Sequence, residues 1–210
     1  MNLFVVGSTG LLGREFLAQA MDAGHVVRAL ARNPDALGPA PNLEAVRGDV
    51  FDQSSLDAAA RGQDAAVLIL GLPFSDLRKP TNVFSQGTRN LIAALKTAGV
   101  RRLIAISSFG VGDSRRYARF YERLFFSVAL RGAYADKLVQ EQAVRESGLD
   151  YTIVRPARLT NAKGTGRYTA LIAPGPIPSP VSRADVARFI LDALRTRDYV
   201  GKTVSVGRGS

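Results

Sequence analysis

Three glycines near the amino terminus, Gly7, Gly10 and Gly13, have the spacing to hold a phosphate group. They follow an apolar run at residues 3–6 and precede residues 11–20, whose apolar side chains recur with helical spacing. A strand that turns at glycines into a helix leaves amide N–H groups and the positive end of the helix dipole at one point. This geometry suits a pyrophosphate, with Gly7 for the tight turn, Gly10 for close approach of the phosphates and Gly13 for helix–strand packing.

The surroundings of this loop favour a dinucleotide site over the alternative, a glycine-rich turn that binds nothing. The pattern G-x-x-G-x-x-G differs from the usual G-x-G-x-x-G fingerprint, and three glycines alone indicate little. A strand precedes the loop, a helix follows it, and a second strand begins after His25, where a strand–helix–strand unit needs one. The residues predicted to hold the diphosphate are Gly7, Thr9, Gly10, Leu11, Leu12 and Gly13.

Arg32 follows the second predicted strand, where the residue type distinguishes the two nicotinamide dinucleotides. An NAD site usually has Asp or Glu here for the ribose 2′-hydroxyl, whereas an arginine suits a 2′-phosphate. Arg28 lies four residues earlier, on the same face of the strand if the alternation holds. We therefore predict NADP(H) as the cofactor, with an ordinary surface arginine as the alternative interpretation of Arg32.

Other polar or small residues follow the remaining strands, whose carboxyl ends form the ligand-binding edge of such a sheet. The further predicted cofactor contacts are Asp49, Val50, Gly71, Leu72, Ser107, Lys137 and Pro156, and the predicted catalytic residues are Ser108, Lys137 and Arg158. The two serines are placed to face a nicotinamide and its substrate. The Asp49 carboxylate has two interpretations of equal weight, a contact with the adenine amine or a cap on its own turn.

Strand and helix patterns alternate along the whole chain, which predicts an α/β fold of the Rossmann type, a doubly wound parallel sheet with helices on both faces. The expected strands cover residues 2–6, 26–30, 43–47, 65–70, 102–107, 151–154 and 203–206. The expected helices cover residues 11–23, 54–61, 81–98, 133–147 and 184–195. Ser182 is placed to cap the last helix, with Asp185 as the acidic half of a capping pair.

Length and composition limit the possible classes of protein. The 210 residues contain no linker, and we expect a single domain over residues 1–210, with a substrate cleft formed by segments 108–132 and 155–182. The absence of cysteine and the single histidine, His25, argue against disulfides, catalytic triads and cysteine- or histidine-rich metal sites, so no metal is expected. No secretory leader and no apolar run of about 18 residues is evident, so we expect a cytoplasmic protein without a transmembrane segment.

The net charge of +10 favours anionic partners, with a merely solvated arginine-rich surface as the alternative. A nucleic-acid-binding protein is suggested by charge alone, because no recognition motif accompanies the basic residues. We therefore expect a small anionic or conjugated substrate, no nucleic acid, and a monomer.

With these residues identified, the chain resembles the atypical short-chain dehydrogenase/reductases, in the NmrA-like NAD(P)-binding branch that includes the NADPH-dependent flavin and biliverdin reductases. The resemblance extends from residue 4 to about residue 199 and is carried by segments 7–13, 48–50, 62–65, 87–90, 145–149 and 151–156, together with Arg32. It implies that Ser108 lies beside the nicotinamide and that Asp49 and Val50 contact adenine. The flavin reductases have a histidine where this chain has Arg158, which would instead orient an acidic substrate.

The Tyr-x-x-x-Lys pair of the usual dehydrogenases is incomplete in this chain. The closest match is Tyr134 with Lys137, at i and i+3 instead of i and i+4. If Lys137 is the family lysine, it is placed to reach the nicotinamide ribose, and Ala133 occupies the tyrosine position. A packed aromatic is then a better interpretation of Tyr134 than a general acid.

The segment 115–131 interleaves arginines with aromatic residues. Helical spacing places Tyr117, Phe120, Tyr121 and Leu124 on one side, which predicts an amphipathic helix packed over the substrate cleft. The alternatives are a mobile lid over an acidic substrate, an interfacial membrane contact and a partner-binding helix. Gly132 is expected to separate this segment from the helix that carries Lys137.

A cofactor loop without a clear proton donor favours one class of reaction. Reduction of a ketone needs a positioned acid, commonly worth about 10²–10⁴-fold, whereas hydride transfer to a conjugated acceptor mainly needs alignment. The sequence therefore predicts an NADPH-dependent oxidoreductase acting on a flavin, bilin or quinone. The alternative is a non-catalytic, NmrA-like protein that senses NADP(H) for regulation or assembly.

Overall fold

The computed structural model describes residues 1–209, and its centre is one eight-stranded sheet. The strands are β1 Asn2–Val6, β2 Val26–Ala31, β3 Leu43–Arg47, β4 Ala65–Leu68, β5 Arg102–Ile106, β6 Asp150–Pro156, β7 Leu159–Thr160, β8 Tyr168–Leu171, β9 Val181–Ser182 and β10 Lys202–Arg208. The helices are α1 Leu11–Asp22, α2 Gln53–Ala60, α3 Val83–Thr97, α4 Phe120–Val128, α5 Arg131–Arg145 and α6 Arg183–Arg195.

The order of the strands is β3-β2-β1-β4-β5-β6-β10-β8, and every neighbouring pair is parallel except β10 with β8. The central strands are continuous buried apolar runs, as parallel strands covered on both faces require. The order reverses between β1 and β4, so the carboxyl ends of these strands flank the crevice in which such sheets bind ligands. The predicted Rossmann-type fold is confirmed.

Each face of the sheet has its own core. Helices α1 and α6 pack together on one face, where Phe16 and Phe189 are fully buried. Helices α2, α3 and α5 cover the other face, around Leu91, Leu95 and Leu103. The two layers of helices fix the sheet between them and leave its carboxyl edge to the loops.

The predicted cap of α6 is confirmed. The Ser182 hydroxyl accepts from the Asp185 amide at 3.0 Å and donates to the Asp185 carboxylate at 2.7 Å. The same carboxylate also accepts from the amides of Thr165 and Gly166, at 2.8 and 2.9 Å. The buried Asp185 carboxylate therefore holds the capping hydroxyl of Ser182 and also fixes the loop before β8.

Three short strands, β7, β8 and β9, have no counterpart in the sequence prediction. None of the residues of β8 is buried, so neither face of this strand requires apolar side chains, and the sequence lacks the alternation that would predict a strand. Its position depends on β10, with which it pairs antiparallel from Tyr168 to Leu171. This pairing and the pairing with β6 extend β10 beyond the predicted residues 203–206.

Gly132 does not separate two helices as expected, because it is the second residue of α5. A Cβ at Gly132 would overlap the carbonyl oxygen of Lys79, and the Ala133 amide donates to Leu77 at 2.9 Å. The glycine is therefore required by the close approach of the loop before α3, and α5 begins without interruption.

The segment 115–131 forms a helix, but its arrangement differs from the predicted one. Helix α4 begins at Phe120, and Tyr117 belongs to a preceding 3₁₀ turn, Gly112–Tyr117. No residue of α4 is buried, so the predicted packing of its apolar side is wrong. The helix contacts the body of the protein through Phe126, whose ring stacks on Tyr134 at 5.1 Å between centroids.

None of the helices within residues 1–209 combines the length and the hydropathy needed to cross a bilayer.

Candidate cofactor and active site

The glycine loop after β1 is shaped by two close contacts within the protein. Gly7 has a φ of +91°, and a Cβ there would overlap the Ile69 carbonyl oxygen. A Cβ at Gly13 would overlap the Gly7 carbonyl oxygen. Both glycines are therefore required for α1 to lie against the turn that ends β1.

Gly10 has no such requirement, because its φ is −71° and a Cβ would lie 3.6 Å from the nearest atom, the Gly7 oxygen. Gly10 and Thr9 are exposed at the start of α1. No side chain caps this helix, and its first turn contains no acidic residue. The free space at Gly10 and the uncapped amides fit an anionic ligand, so the residues present are suited to a diphosphate.

Arg14, which the sequence analysis did not single out, joins the glycine loop to the turn after β2. Its guanidinium donates to the Thr9 carbonyl at 3.2 Å and to the Ala36 carbonyl at 2.7 Å. These loops flank the expected position of the adenosine ribose. No local pattern identifies this contact, because it depends on a turn that follows 22 residues later in the chain.

The two arginines of the β2 region have different surroundings. Arg32 is exposed at the end of β2, where its side chain is accessible to a ligand. Arg28 donates to Glu44 at 2.7 Å and to the carbonyls of Ala59 and Arg61 at 3.1 and 2.9 Å. Arg28 therefore joins β2 to β3 and α2, and the contact of Arg32 with a 2′-phosphate stays a prediction.

The loop after β3 is a capped turn held against α3. The Asp49 carboxylate accepts from the Phe51 amide at 2.9 Å, so the turn-capping interpretation is confirmed. The Asn90 amide group donates to the Val50 carbonyl at 2.8 Å. A Cβ at Gly87 would lie 3.0 Å from Val50, so Gly87 lets α3 approach this loop. The contacts of Asp49 and Val50 with adenine stay predictions.

A buried ion pair supports the carboxyl ends of β5 and β6. Arg155 in β6 and Glu141 in α5 are both almost completely buried and make two hydrogen bonds, of 2.8 and 2.7 Å. The Ser107 hydroxyl donates to the same carboxylate at 2.7 Å, as does Arg145. Asp113 accepts from the other side of Arg155. The Ser107 hydroxyl is thus engaged in this network, and the contact of Ser107 with the nicotinamide stays a prediction.

The charges of this network are stabilised by one another. Burial alone would raise the pKa of Glu141, but the hydrogen bonds and charge of Arg155, with Ser107 and Arg145, lower it. Burial would likewise lower the pKa of Arg155, and the two carboxylates raise it. Both groups are charged at neutral pH, and they bind the segment 107–113 to α5.

Ser108, the next residue, is half-buried and lies within hydrogen-bonding reach of the Tyr134 phenol. The phenol itself donates to the Phe109 carbonyl at 3.0 Å. Burial raises the pKa of Tyr134, although the Ser108 hydrogen bond and the Arg115 charge act to lower it. Tyr134 is therefore a neutral donor engaged by a main-chain oxygen, which matches the interpretation as a packed aromatic.

Lys137 is buried at the carboxyl end of β5. Its ammonium donates to the Ile106 carbonyl at 3.2 Å and lies 4.1 Å from the centroid of the Phe84 ring. Burial lowers its pKa to about 8, against the opposing charges of Glu141 and Asp136. Ala133 is buried one turn earlier and carries no proton donor, and its correspondence to the family tyrosine stays a prediction.

Asp136 is a second functional side chain that the sequence analysis missed. Its carboxylate accepts from the amides of Phe84 and Ser85, at 2.8 and 3.3 Å, and so caps α3 from another helix. This places Phe84 under the Lys137 ammonium. A cap from a residue about 50 positions away leaves no local sequence signal.

The remaining predicted residues lie along the same edge of the sheet. The Pro156 carbonyl accepts from the Phe109 amide at 3.0 Å, which joins the loops after β5 and β6. Gly71 is exposed, and a Cβ there would meet nothing within 4 Å. Leu72 is half-buried, and Arg158 is exposed beyond the end of β6. The structure therefore brings Ser107, Ser108, Lys137 and Pro156 together and leaves Arg158 on the outer loop.

Comparisons with known proteins agree with this arrangement. A sequence profile described as NAD(P)H-binding matches residues 7–197, and the chain belongs to this family. It is 30% identical over 97% of its length to a (4-alkanoyl-5-oxo-2,5-dihydrofuran-3-yl)methyl phosphate reductase from Streptomyces griseus, of which it covers 67%. Membership in the family identifies the cofactor as a nicotinamide dinucleotide.

Two solved structures share the fold over the whole chain. The oxidoreductase ylbE from Lactococcus lactis aligns with a TM-score of 0.85 and 25% identity, covering 100% of this chain and 92% of that one. ChuY, an anaerobilin reductase from Escherichia coli O157:H7, aligns with a TM-score of 0.80 and 25% identity, covering 99% and 97%. These neighbours support an atypical short-chain dehydrogenase/reductase with oxidoreductase chemistry.

Substitution of Gly10 and Gly13 by alanine separates cofactor binding from folding. Gly10→Ala places a methyl group in the free space above α1, so NADPH affinity should fall about tenfold or more while stability falls by only about 1 kcal/mol. Gly13→Ala forces a Cβ onto the Gly7 oxygen and should cost about 3 kcal/mol. Calorimetric titration and thermal unfolding measure the two effects. Equal NADPH affinity for Gly10→Ala and the unsubstituted chain would contradict the assignment.

Glu141→Gln removes the charge that compensates Arg155 and should lower the free energy of unfolding by about 3 kcal/mol at pH 7. The folded-state pKa of Glu141 is depressed, so its contribution is complete above the unfolded value and lost as the pH falls through the folded value. The difference between the two proteins should therefore be constant above about pH 5 and decrease below it.

Denaturant unfolding across this pH range measures the difference. The control is Glu146→Gln at an exposed residue at the end of the same helix, which should change stability by less than about 0.5 kcal/mol. A difference between Glu141→Gln and the unsubstituted chain that grows as the pH falls would show that the carboxylate is not stabilised by Arg155.

Proposed function

We propose that this member of the NAD(P)H-binding family is an NADPH-dependent reductase of a flat, conjugated acceptor such as a flavin, bilin or quinone. The single observation that carries the proposal is the contrast between the two halves of the site. The dinucleotide loop has its glycines and an uncapped helix, whereas the Tyr134 phenol beside Ser108 already donates to the Phe109 carbonyl. The dinucleotide would supply a hydride, and the acceptor would take its proton from water.

The engagement of the Tyr134 phenol by the Phe109 carbonyl supports this class of acceptor. In this proposal Lys137 is the family lysine, so Ala133 occupies the tyrosine position. The Tyr134 phenol would not be free to protonate the alkoxide formed from a simple ketone, whereas a conjugated acceptor spreads the incoming charge over many atoms. The chain then has only to hold the two reactants in contact, and such alignment can supply much of the rate enhancement.

Each residue at the edge of the sheet has a specific proposed role. In this proposal the Ser108 hydroxyl donates to a carbonyl or amide group of the reactants, and Lys137 would support the nicotinamide ribose at the end of β5. The backbone of Ser107 and the loop that begins at Pro156 would line the bottom of the site at the same edge of the sheet. Arg158 would attract the anionic groups of a substrate, as an exposed guanidinium does for phosphates and carboxylates.

NADPH is the proposed form of the cofactor, because Arg32 stands where a 2′-phosphate would be recognised. The relatives support the choice of acceptor. One is named as a reductase of an anionic furanone phosphate and another as a reductase of a bilin. The phosphate ester in the first name is an anion, which suits a chain of net charge +10.

The proposed cofactor preference depends on the charge of Arg32. Arg32→Gln should raise the KM for NADPH about tenfold while leaving kcat and the KM for NADH unchanged, because only the 2′-phosphate contact is lost. Steady-state oxidation of each dinucleotide with a saturating acceptor measures this. The control Arg101→Gln removes the same charge at the amino-terminal ends of the strands and should change the KM for neither NADPH nor NADH. A tenfold or greater preference of the unsubstituted chain for NADH would refute the assignment.

Tyr134→Phe tests the proposed reaction class. If the acceptor needs no acid from the chain, kcat/KM with FMN, riboflavin, biliverdin or a quinone should change by less than about threefold, whereas loss of a general acid costs about 10²–10⁴-fold. A hundredfold loss would show that Tyr134 donates the proton. Tight binding of NADPH without oxidation by any of these acceptors would instead favour the alternative, a protein that senses the NADP⁺/NADPH ratio.

A further inference from the structure

Helix α4 presents a row of large apolar side chains to solvent. Phe120, Tyr121, Leu124, Phe125 and Val128 are between 47% and 82% exposed, although they make up five of its nine residues. Within residues 1–209, no other segment of the chain covers them. A contiguous exposed apolar patch of this kind is unusual for a free surface and marks a site of interaction.

The exposed residues form one face because of their spacing. At about 100° per residue, the positions from Phe120 through Leu124, Val128 and Tyr121 to Phe125 fall within an arc of about 140°. Phe126 lies on the opposite side, where its ring packs on Tyr134 and over Gly110. The helix therefore directs one aromatic residue to the protein and five apolar residues away from it.

Several contacts hold α4 in this orientation. The Glu122 carboxylate accepts from the Arg119 amide at 2.8 Å and completes a capping box at the start of the helix. Arg115 donates to the Ser127 hydroxyl and so connects the preceding turn to the last turn of the helix. The apolar face is thus exposed on a helix that is capped at its start and held to the protein through its opposite side.

The apolar face is bordered by positive charge. The segment 115–131 contains five arginines and one glutamate, a net charge of +4. Arg116, Arg119 and Arg123 are exposed, and Arg131 follows the helix. The Arg119 guanidinium donates to the Tyr121 hydroxyl at 3.0 Å, at the border of the face. An amphipathic helix with aromatic and aliphatic residues on one side and arginines at its borders matches a surface with apolar chains beneath anionic headgroups.

We propose that α4 is a peripheral membrane anchor that binds the surface of an anionic phospholipid bilayer. Charge complementarity selects this occupant. A second copy of the chain would bring a segment of charge +4 against its equal, and a nucleic acid would leave the apolar face in water. An anionic bilayer complements both the arginines and the apolar face, because its phosphates pair with the arginines and its acyl region accepts Phe120, Leu124 and Val128. This proposal does not depend on the proposed reductase activity.

Vesicle flotation of the full chain tests the binding. The chain should float with vesicles of phosphatidylcholine containing about 30% phosphatidylglycerol, should remain in solution with pure phosphatidylcholine, and should be released by salt. Arg116→Gln/Arg119→Gln/Arg123→Gln should weaken binding roughly 100-fold, at about fivefold for each arginine near the surface. Arg115 is left unchanged because it anchors the helix to Ser127.

Matched variants control for charge and hydrophobicity elsewhere. Arg101→Gln/Arg195→Gln/Arg197→Gln removes the same charge at the amino-terminal edge of the sheet and should bind within about threefold of the unsubstituted chain. Phe120→Ser/Leu124→Ser/Val128→Ser should abolish flotation. Val26→Ser/Ile172→Ser, at exposed apolar residues away from α4, should not. Equal losses in the control and the α4 variants would overturn the proposal.

A fluorescent reporter locates the contact, since the chain contains no tryptophan. Phe120→Trp should shift its emission to the blue on addition of anionic vesicles and become accessible to quenchers carried by the lipid. Ile172→Trp should show neither effect. The proposal fails if the Phe120→Trp emission is unchanged by vesicles. It also fails if the emission shifts with protein concentration, which indicates a second copy, or only with NADPH and acceptor, which indicates a lid.

Discussion

The contact between α1 and the turn that ends β1 is the constraint on which the rest of the site depends. Without side chains at Gly7 and Gly13, the helix begins directly above the end of the strand. Its uncapped amino terminus then points into the crevice where the strand order reverses between β1 and β4. The other candidate residues follow the ends of neighbouring parallel strands, so the position of the helix determines which of them share a ligand with it.

The second half of the site is supported by charge. The Arg155–Glu141 pair is buried between β6 and α5, and it reaches the loop after β5 through Ser107 and Asp113. Buried ion pairs contribute little net stability compared with apolar residues, but breaking one is costly. The main effect of this pair is therefore to fix the arrangement of β6, α5 and the loop after β5, and its net contribution to the free energy of unfolding is small. Ser108 follows Ser107 in the chain and Lys137 lies one helical turn before Glu141 in α5, so both are next to residues of this network.

The sequence predicted the parts of the structure that depend on local patterns. The central parallel strands, the glycine turn and the Ser182 cap all arise from residues that are close together in the chain. Contacts between distant segments were missed, such as the bond from Arg14 to Ala36 and the cap that Asp136 provides for α3. Gly132 was misinterpreted for the same reason, because a glycine that ends a helix and a glycine that admits a neighbouring carbonyl look alike in sequence.

The candidate site was predicted more completely than its supporting contacts. Position after a strand made Ser108 and Arg158 candidates, and their roles stay predictions. Nothing local showed that the Ser107 hydroxyl would donate to Glu141. Similarly, the alternation of arginines and aromatics in α4 predicted a helix but not the side that faces the protein. That side is set by Phe126 and Tyr134, which meet only after α5 is in place.

A crystal structure of the complex with NADP⁺ shows most directly where the dinucleotide diphosphate binds. The diphosphate oxygens should lie within hydrogen-bonding distance of the amides in the first turn of α1, with the 2′-phosphate beside Arg32. A dinucleotide bound elsewhere on the chain, or a glycine loop occupied only by solvent at saturating NADP⁺, would contradict this binding site.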